Sequence, residues 1–200
     1  TVQAAHLKED GTTGPVLTLS SAGQNAESPV VAMSPNGNAV VAWLWTNGVN
    51  DVVQSVTVTP AADVSVVGDR SAAGPAGQDA AGPRVAILDD RTSAVTWRKF
   101  NGTKNIVQAR VVNSSGTVLD IRDIEALYDQ STDFPDIAAI SDGTFKLVWA
   151  EGTGDFGNVG TQTMNADGTM PLPATYAFPT TAFLHGVPVD ARAPAAPSGA

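Results

Sequence analysis

An all-β fold is what this sequence predicts, on three observations. Glycine and proline, 19 and 13 among 200 residues, punctuate the chain too often for long helices. Short apolar or alternating runs bounded by turn residues carry the signature of strands. One pattern also returns at intervals of 54 and then 52 residues.

The returning pattern is Pro29-Val-Val-Ala-Met-Ser-Pro-Asn-Gly-Asn-Ala-Val-Val-Ala-Trp43, then Pro83-Arg-Val-Ala-Ile-Leu-Asp-Asp-Arg-Thr-Ser-Ala-Val-Thr-Trp97, then Pro135-Asp-Ile-Ala-Ala-Ile-Ser-Asp-Gly-Thr-Phe-Lys-Leu-Val-Trp149. Pro and Trp are 14 apart in each, and Gly48, Gly102 and Gly154 follow their Trp by five. Gln54, Gln108 and Gln162 recur downstream at intervals of 54, with Gln3 at 51 before the first.

Each unit divides into strands. Val30 to Met33, Val85 to Leu88 and Ile137 to Ile140 are apolar and form a buried first strand. The second run alternates, with Ala39, Val41, Trp43 and Trp45 on one side, as are Ser93, Val95 and Trp97, and Phe145, Leu147 and Trp149. Asn36-Gly37, Asp89-Asp90 and Asp142-Gly143 lie between the two runs, and Asn-Gly and Asp-Gly supply the positive φ of a tight hairpin. A third strand carries the Gln: Val52 to Val58, Ile106 to Val112, Val159 to Met164, and Val2 to Leu7. A weaker fourth follows at Val16 to Leu19, Val64 to Val67 and Val118 to Ile121.

Four short antiparallel strands in about 50 residues, in tandem, predict the blades of a β-propeller. The expected layout is a partial blade at residues 1–20, blades at 29–70, 83–122 and 135–178, and a Pro- and Ala-rich linker at 186–200. That is about three and a half blades, and a ring needs about four. The region after Gly168, a second copy or a longer chain would complete it. Trp43, Trp97 and Trp149 are expected in the core between blades, where one Trp removes on the order of 150–250 Å² from water.

The Pro-x-[Val/Ile]-Ala, Trp, Gly and Val-Gln pattern resembles the tandem propeller repeats of large secreted bacterial proteins, over roughly residues 1 to 170. It is more distantly similar to lectin propellers, which implies sugars held between blades. The resemblance implies a fold and no particular activity. The sialidase-type Asp-box is only echoed, by Ser141-Asp142-Gly143-Thr144.

Composition excludes several function classes. The formal charge of -9 disfavours nucleic acid and anionic membranes. No apolar run approaches the roughly 18 residues of a membrane span. Absence of Cys removes disulfides, thiol nucleophiles and Cys-based zinc sites, and with many Thr, Ser, Asn and Gly it suggests a bacterial extracellular or surface protein. The two His, His6 and His185, lie near opposite ends, so neither a His metal site nor a His base is expected. The acid pairs Glu9-Asp10 and Asp89-Asp90 fall in predicted turns, where Asp serves local hydrogen bonding. No cofactor, metal or catalytic residue is expected.

A binding face is the remaining expectation. Gln24, Gln78 and Gln130 each lie five residues before the unit's Pro, in the loop entering the first strand. The loop between second and third strands emerges on the same face and carries Trp45 and Asn47, then Phe100 and Asn101, then Phe156. Amides beside aromatic rings suit a sugar, since rings stack on apolar sugar faces and amides bond hydroxyls. The alternative is that the Gln residues tie the loop to neighbouring backbone. The sequence therefore predicts a non-catalytic module binding carbohydrate or protein, or else a structural module completed by another copy or a neighbouring domain, with a homo-oligomer among its possible states.

Overall fold

The computed structural model describes residues 1–46, 48–59, 66–67, 72–73, 79–124, 131–153 and 156–177. Its strands are β1 (Gln3–Ala4), β2 (Leu17–Thr18), β3 (Asn25–Met33), β4 (Ala39–Thr46), β5 (Asp51–Val58), β6 (Val66–Val67), β7 (Ala72–Ala73), β8 (Ala80–Ile87), β9 (Ser93–Phe100), β10 (Asn105–Val112), β11 (Val118–Ile124), β12 (Thr132–Ala139), β13 (Thr144–Thr153), β14 (Phe156–Asn165) and β15 (Thr175–Ala177). Among the described residues there is no helix. The all-β class and the antiparallel four-stranded sheets expected from the sequence are present, and among the described residues no sheet closes on itself.

β1 and β2 pair alone. The first large sheet runs β3-β4-β5-β6, with β7 also on β5, the second β8-β9-β10-β11 and the third β12-β13-β14-β15. β8 packs against both β3 and β12, so the three first strands are neighbours. Tandem hairpins stacked in chain order give this arrangement.

The middle strands are buried on both faces, where the sequence pattern showed one. In β4, Val41 and Trp43 pack toward β1 and β2, with Val2, Leu19 and Val56. Its Ala42 and Leu44 pack the other way, against Ala80, Val95 and Trp97 of the second sheet. Ala86, Ala94, Val107 and Ala109 then meet Ile137, Phe145, Leu147 and Trp149 of the third. Small Ala residues on one face and Trp on the next let the sheets approach without voids. Trp43, Trp97 and Trp149 are 0, 0 and 2% exposed.

The first strands begin earlier than the apolar runs and pass through the proline. Proline has no N–H to give a ladder, which is why sequence reading starts the strand after it. The structure accommodates it in a bulge, with register shifts between Glu27 and Val30, Ala81 and Arg84, and Asp133 and Asp136. The residue before the proline is left-handed each time: Ser28 at φ 52°, Gly82 at 58° and Phe134 at 49°. Glycine takes that conformation freely, whereas Ser and Phe are strained there by roughly 1–3 kcal/mol.

The hairpin turns also differ from expectation. Gly37 N–H donates to Ser34 O (2.9 Å) while Ser34 N–H donates to Asn38 O (2.8 Å), and Leu88–Thr92 and Ile140–Thr144 repeat this. The bonding is that of a type I turn closed by one left-handed residue, so a single positive φ suffices. That residue is Gly37, Arg91 or Gly143, with φ 82°, 76° and 86°. Asp90 and not Asp89 matches Asn36, and it binds Thr92 N at 2.8 Å. In related turns the Thr12 and Thr169 hydroxyls, then their N–H groups, hold Asp10 and Asp167 below the usual carboxylate range.

Arg91 alone among these three turn residues carries a Cβ in the left-handed region. Arg91→Gly should raise stability by up to about 1 kcal/mol, or about 2–4 °C in Tm. A lower melting temperature would show that its side chain stabilises more than its backbone costs.

Candidate functional site

The loop-bearing ends of the first strands are tied to the preceding sheet by a recurring bond. Asp79, four residues before Pro83, accepts through Oδ1 from Asp51 N (3.3 Å) and Asn50 Nδ2 (3.0 Å). Ser131, four before Pro135, accepts through Oγ from Asn105 N at 3.1 Å. Asp51 and Asn105 each open the third strand of their sheet. These ties fix the end of one second strand beside the bulge of the next first strand.

What the ties bring together differs sharply between the two junctions. On the second strand, the residues one and three beyond the Trp point toward the following sheet. On the next first strand, the two residues before the Pro form the bulge. Between the first and second sheets these positions are Leu44, Thr46, Ala81 and Gly82. Leu44 is buried among Ala80, Val95 and Trp97. Between the second and third sheets they are Arg98, Phe100, Asp133 and Phe134. Small or apolar residues at one junction become a charged pair between two aromatics at the other.

The geometry of this second group is defined. Arg98 Nη1 lies 3.1 and 2.9 Å from Oδ1 and Oδ2 of Asp133. The two side chains remain 36 and 31% exposed, so the pair contributes at most about 1 kcal/mol to stability. Asp133 Oδ1 also accepts the Phe134 N–H at 2.8 Å. Phe100 is 45% and Phe134 80% exposed. Two exposed rings are thus carried on the strands that hold this oriented carboxylate.

The residues singled out in the sequence scatter around this group. Phe100 belongs to it, while the adjacent Asn101 serves its own turn, its Oδ1 engaged by the N–H groups of Thr103 and Lys104 at 3.0 Å each. Gln24 caps its own turn, its Oε1 accepting from Ser21 N at 3.1 Å. Trp45 packs on the core of the first sheet. Phe156 opens β14, and its side chain lies outside the described residues, as do Asn47, Gln78 and Gln130 and the 186–200 tail. Arg98, Asp133 and Phe134 were missed because repetition drew attention to shared residues. The signal that finds them is departure from the repeat.

Other features offer less chemistry. A cavity of about 520 Å³ lies between Ala4–Lys8 and β3, lined by Leu7, Leu17, Val31, Met33 and Val41 among others, with no carboxylate among the described residues of its wall. Among the described residues no three His, Asp or Glu gather for a metal ion. The Asp10 and Asp90 carboxylates serve their turns, with Asp10 Oδ1 2.9 Å from Thr12 N.

No protein-family model matches the chain. No curated protein matches it either. Among solved structures it is similar to the crystal structure of endo-arabinase from Bacteroides thetaiotaomicron VPI-5482, with a TM-score of 0.53 and 12% identity, over 83% of this chain. The chain spans 66% of that protein's length. This corrects the expectation of a non-catalytic binding or assembly module without enzymatic activity, because the fold it resembles is that of an enzyme. That expectation considered only carboxylates in predicted turns, whereas the bulged first strands carry further acids, Glu27, Asp133 and Asp136.

Proposed function

We propose that the chain carries a complete glycan-cleaving site, in which the three large sheets are blades of a β-propeller, β3, β8 and β12 lie toward its axis, and polysaccharide is held at the junction of the second and third sheets. The observation that carries this reading is the replacement of Leu44, Thr46, Ala81 and Gly82 by Arg98, Phe100, Asp133 and Phe134 at corresponding positions. The likeness to an endo-arabinase supports it. Aromatic rings accept the C–H faces of sugars, and a carboxylate beside a guanidinium bonds their hydroxyls.

Glycoside hydrolysis usually takes two carboxyl groups, one protonating the leaving oxygen and one attacking or activating water. In this proposal Asp133 is one of them, held by Arg98. The exposed Glu27 and Asp136, on β3 and β12, are the candidates for its partner. Such a protein would work outside the cell, where polysaccharide is met.

The test is release of reducing ends from arabinan and a panel of other polysaccharides. The 200-residue chain should cleave at least one of them. Asp133→Asn should lower the rate by about 10²–10⁴-fold, with Tm little changed because the half-buried ion pair contributes at most about 1 kcal/mol. Failure of the chain to cleave any of them, or an Asp133→Asn variant at the original rate, would overturn the reading.

A further inference from the structure

We propose that Phe134 is a glycan-contacting residue whose strained backbone is kept for ligand binding, and that the site it builds takes an uncharged sugar. This rests on the glycan-cleaving reading above and extends it to one residue and one substrate class.

Three observations combine. The backbone position is left-handed in all three sheets, and Gly82 shows the unstrained solution. Phe134 is the bulkiest of the three occupants. It also buries little of its ring, at 80% exposed, so packing within the chain offers no compensation for its conformation. A residue that costs stability and gains no burial is retained for something outside the chain, and a bulge is the usual means of re-aiming a side chain at a site.

Its surroundings define the ligand. Phe134 N–H binds the Asp133 carboxylate, which also holds both contacts from Arg98. The one cation of the group is thereby neutralised, in a protein of net charge -9. An acidic sugar would meet repulsion from the net negative charge, and the Arg98 guanidinium is already paired with Asp133. A neutral sugar with an apolar face meets two rings and polar groups able to bond its hydroxyls.

The experiment is affinity electrophoresis of the full chain through gels containing arabinan, a neutral galactan or polygalacturonate, with Tm measured on the same samples. The unsubstituted protein should be retarded by a neutral polysaccharide and not by polygalacturonate. Phe134→Gly should keep or raise the Tm while weakening retardation about tenfold. Phe134→Tyr should retain binding. Retardation by polygalacturonate alone would overturn the substrate class. Binding by Phe134→Gly at full strength, while Asp133→Asn loses cleavage, would overturn the role of Phe134 and leave the enzyme reading standing. A large fall in Tm for Phe134→Gly would make the residue structural and also overturn the proposal. A chain retarded by none of the three gels would overturn this proposal, while release of reducing ends decides the enzyme reading separately.

Discussion

Trp97→Ala should cost about 3–5 kcal/mol of unfolding free energy, and Tm should fall by about 6–20 °C at this chain length. The indole is 0% exposed and fills the space between the first and second sheets, against Ala42, Leu44, Val53, Ala80 and Val95. The small residues facing it cannot move in to fill the void, because they belong to two separate hydrogen-bonded sheets. Trp97→Phe separates packing from polarity. The Trp97 indole N–H has no hydrogen-bond partner among the described residues, whereas that of Trp43 donates to Gln54 Oε1 at 3.0 Å. Losing an unpaired buried donor offsets part of the lost volume, so Phe should cost well under half of what Ala costs. Urea and thermal unfolding of both variants check this, and a Trp97→Ala protein melting within 2 °C of the parent, against the expected fall of about 6–20 °C, would show that the junction does not depend on the ring.

Much of the scaffold was legible because hairpins report themselves locally. Asn36-Gly37 and Asp142-Gly143 mark turns, and Val41, Trp43, Leu147 and Trp149 mark strands. What was not legible depends on partners distant in sequence. That Val40, Ala42 and Leu44 are also buried follows from a second sheet covering their face, which no period-two pattern announces. That β3, β8 and β12 run through Pro29, Pro83 and Pro135 depends on a bulge, and short-range rules read those prolines as strand breaks. The site was the least legible part. Asp133 and Arg98 are 35 residues apart, and their pairing becomes apparent only when one junction is compared with the other.

The third sheet shows how a correct periodicity can hide a changed register, and it sets the second large effect. Gln54, Gln108 and Gln162 keep an even spacing of 54, but the Trp residues do not, at 54 and 52. Gln54 and Gln108 therefore lie opposite Trp43 and Trp97, while Gln162 lies opposite Leu147 and Trp149 faces Gly160. With no side chain across from it, the Trp149 ring settles over the glycine and meets Tyr176 edge-on at 6.1 Å and 89°. A Cβ on Gly160 would sit closer than 3 Å to Cε2, Cζ2 and Nε1 of that ring. The obstacle is space and not backbone, since Gly160 is absent from the left-handed residues. Gly160→Ala must push out a ring that is 2% exposed, and it should cost about 3 kcal/mol, with Gly160→Val costing more. Trp149→Leu alone should also destabilise, by about 2–4 kcal/mol. The double variant should be more stable than the sum of the two, because the smaller side chain frees the space that the new methyl needs. Thermal unfolding of the four proteins measures this coupling. Strict additivity would mean that Trp149 does not lie over Gly160 and that the register between β13 and β14 is wrong.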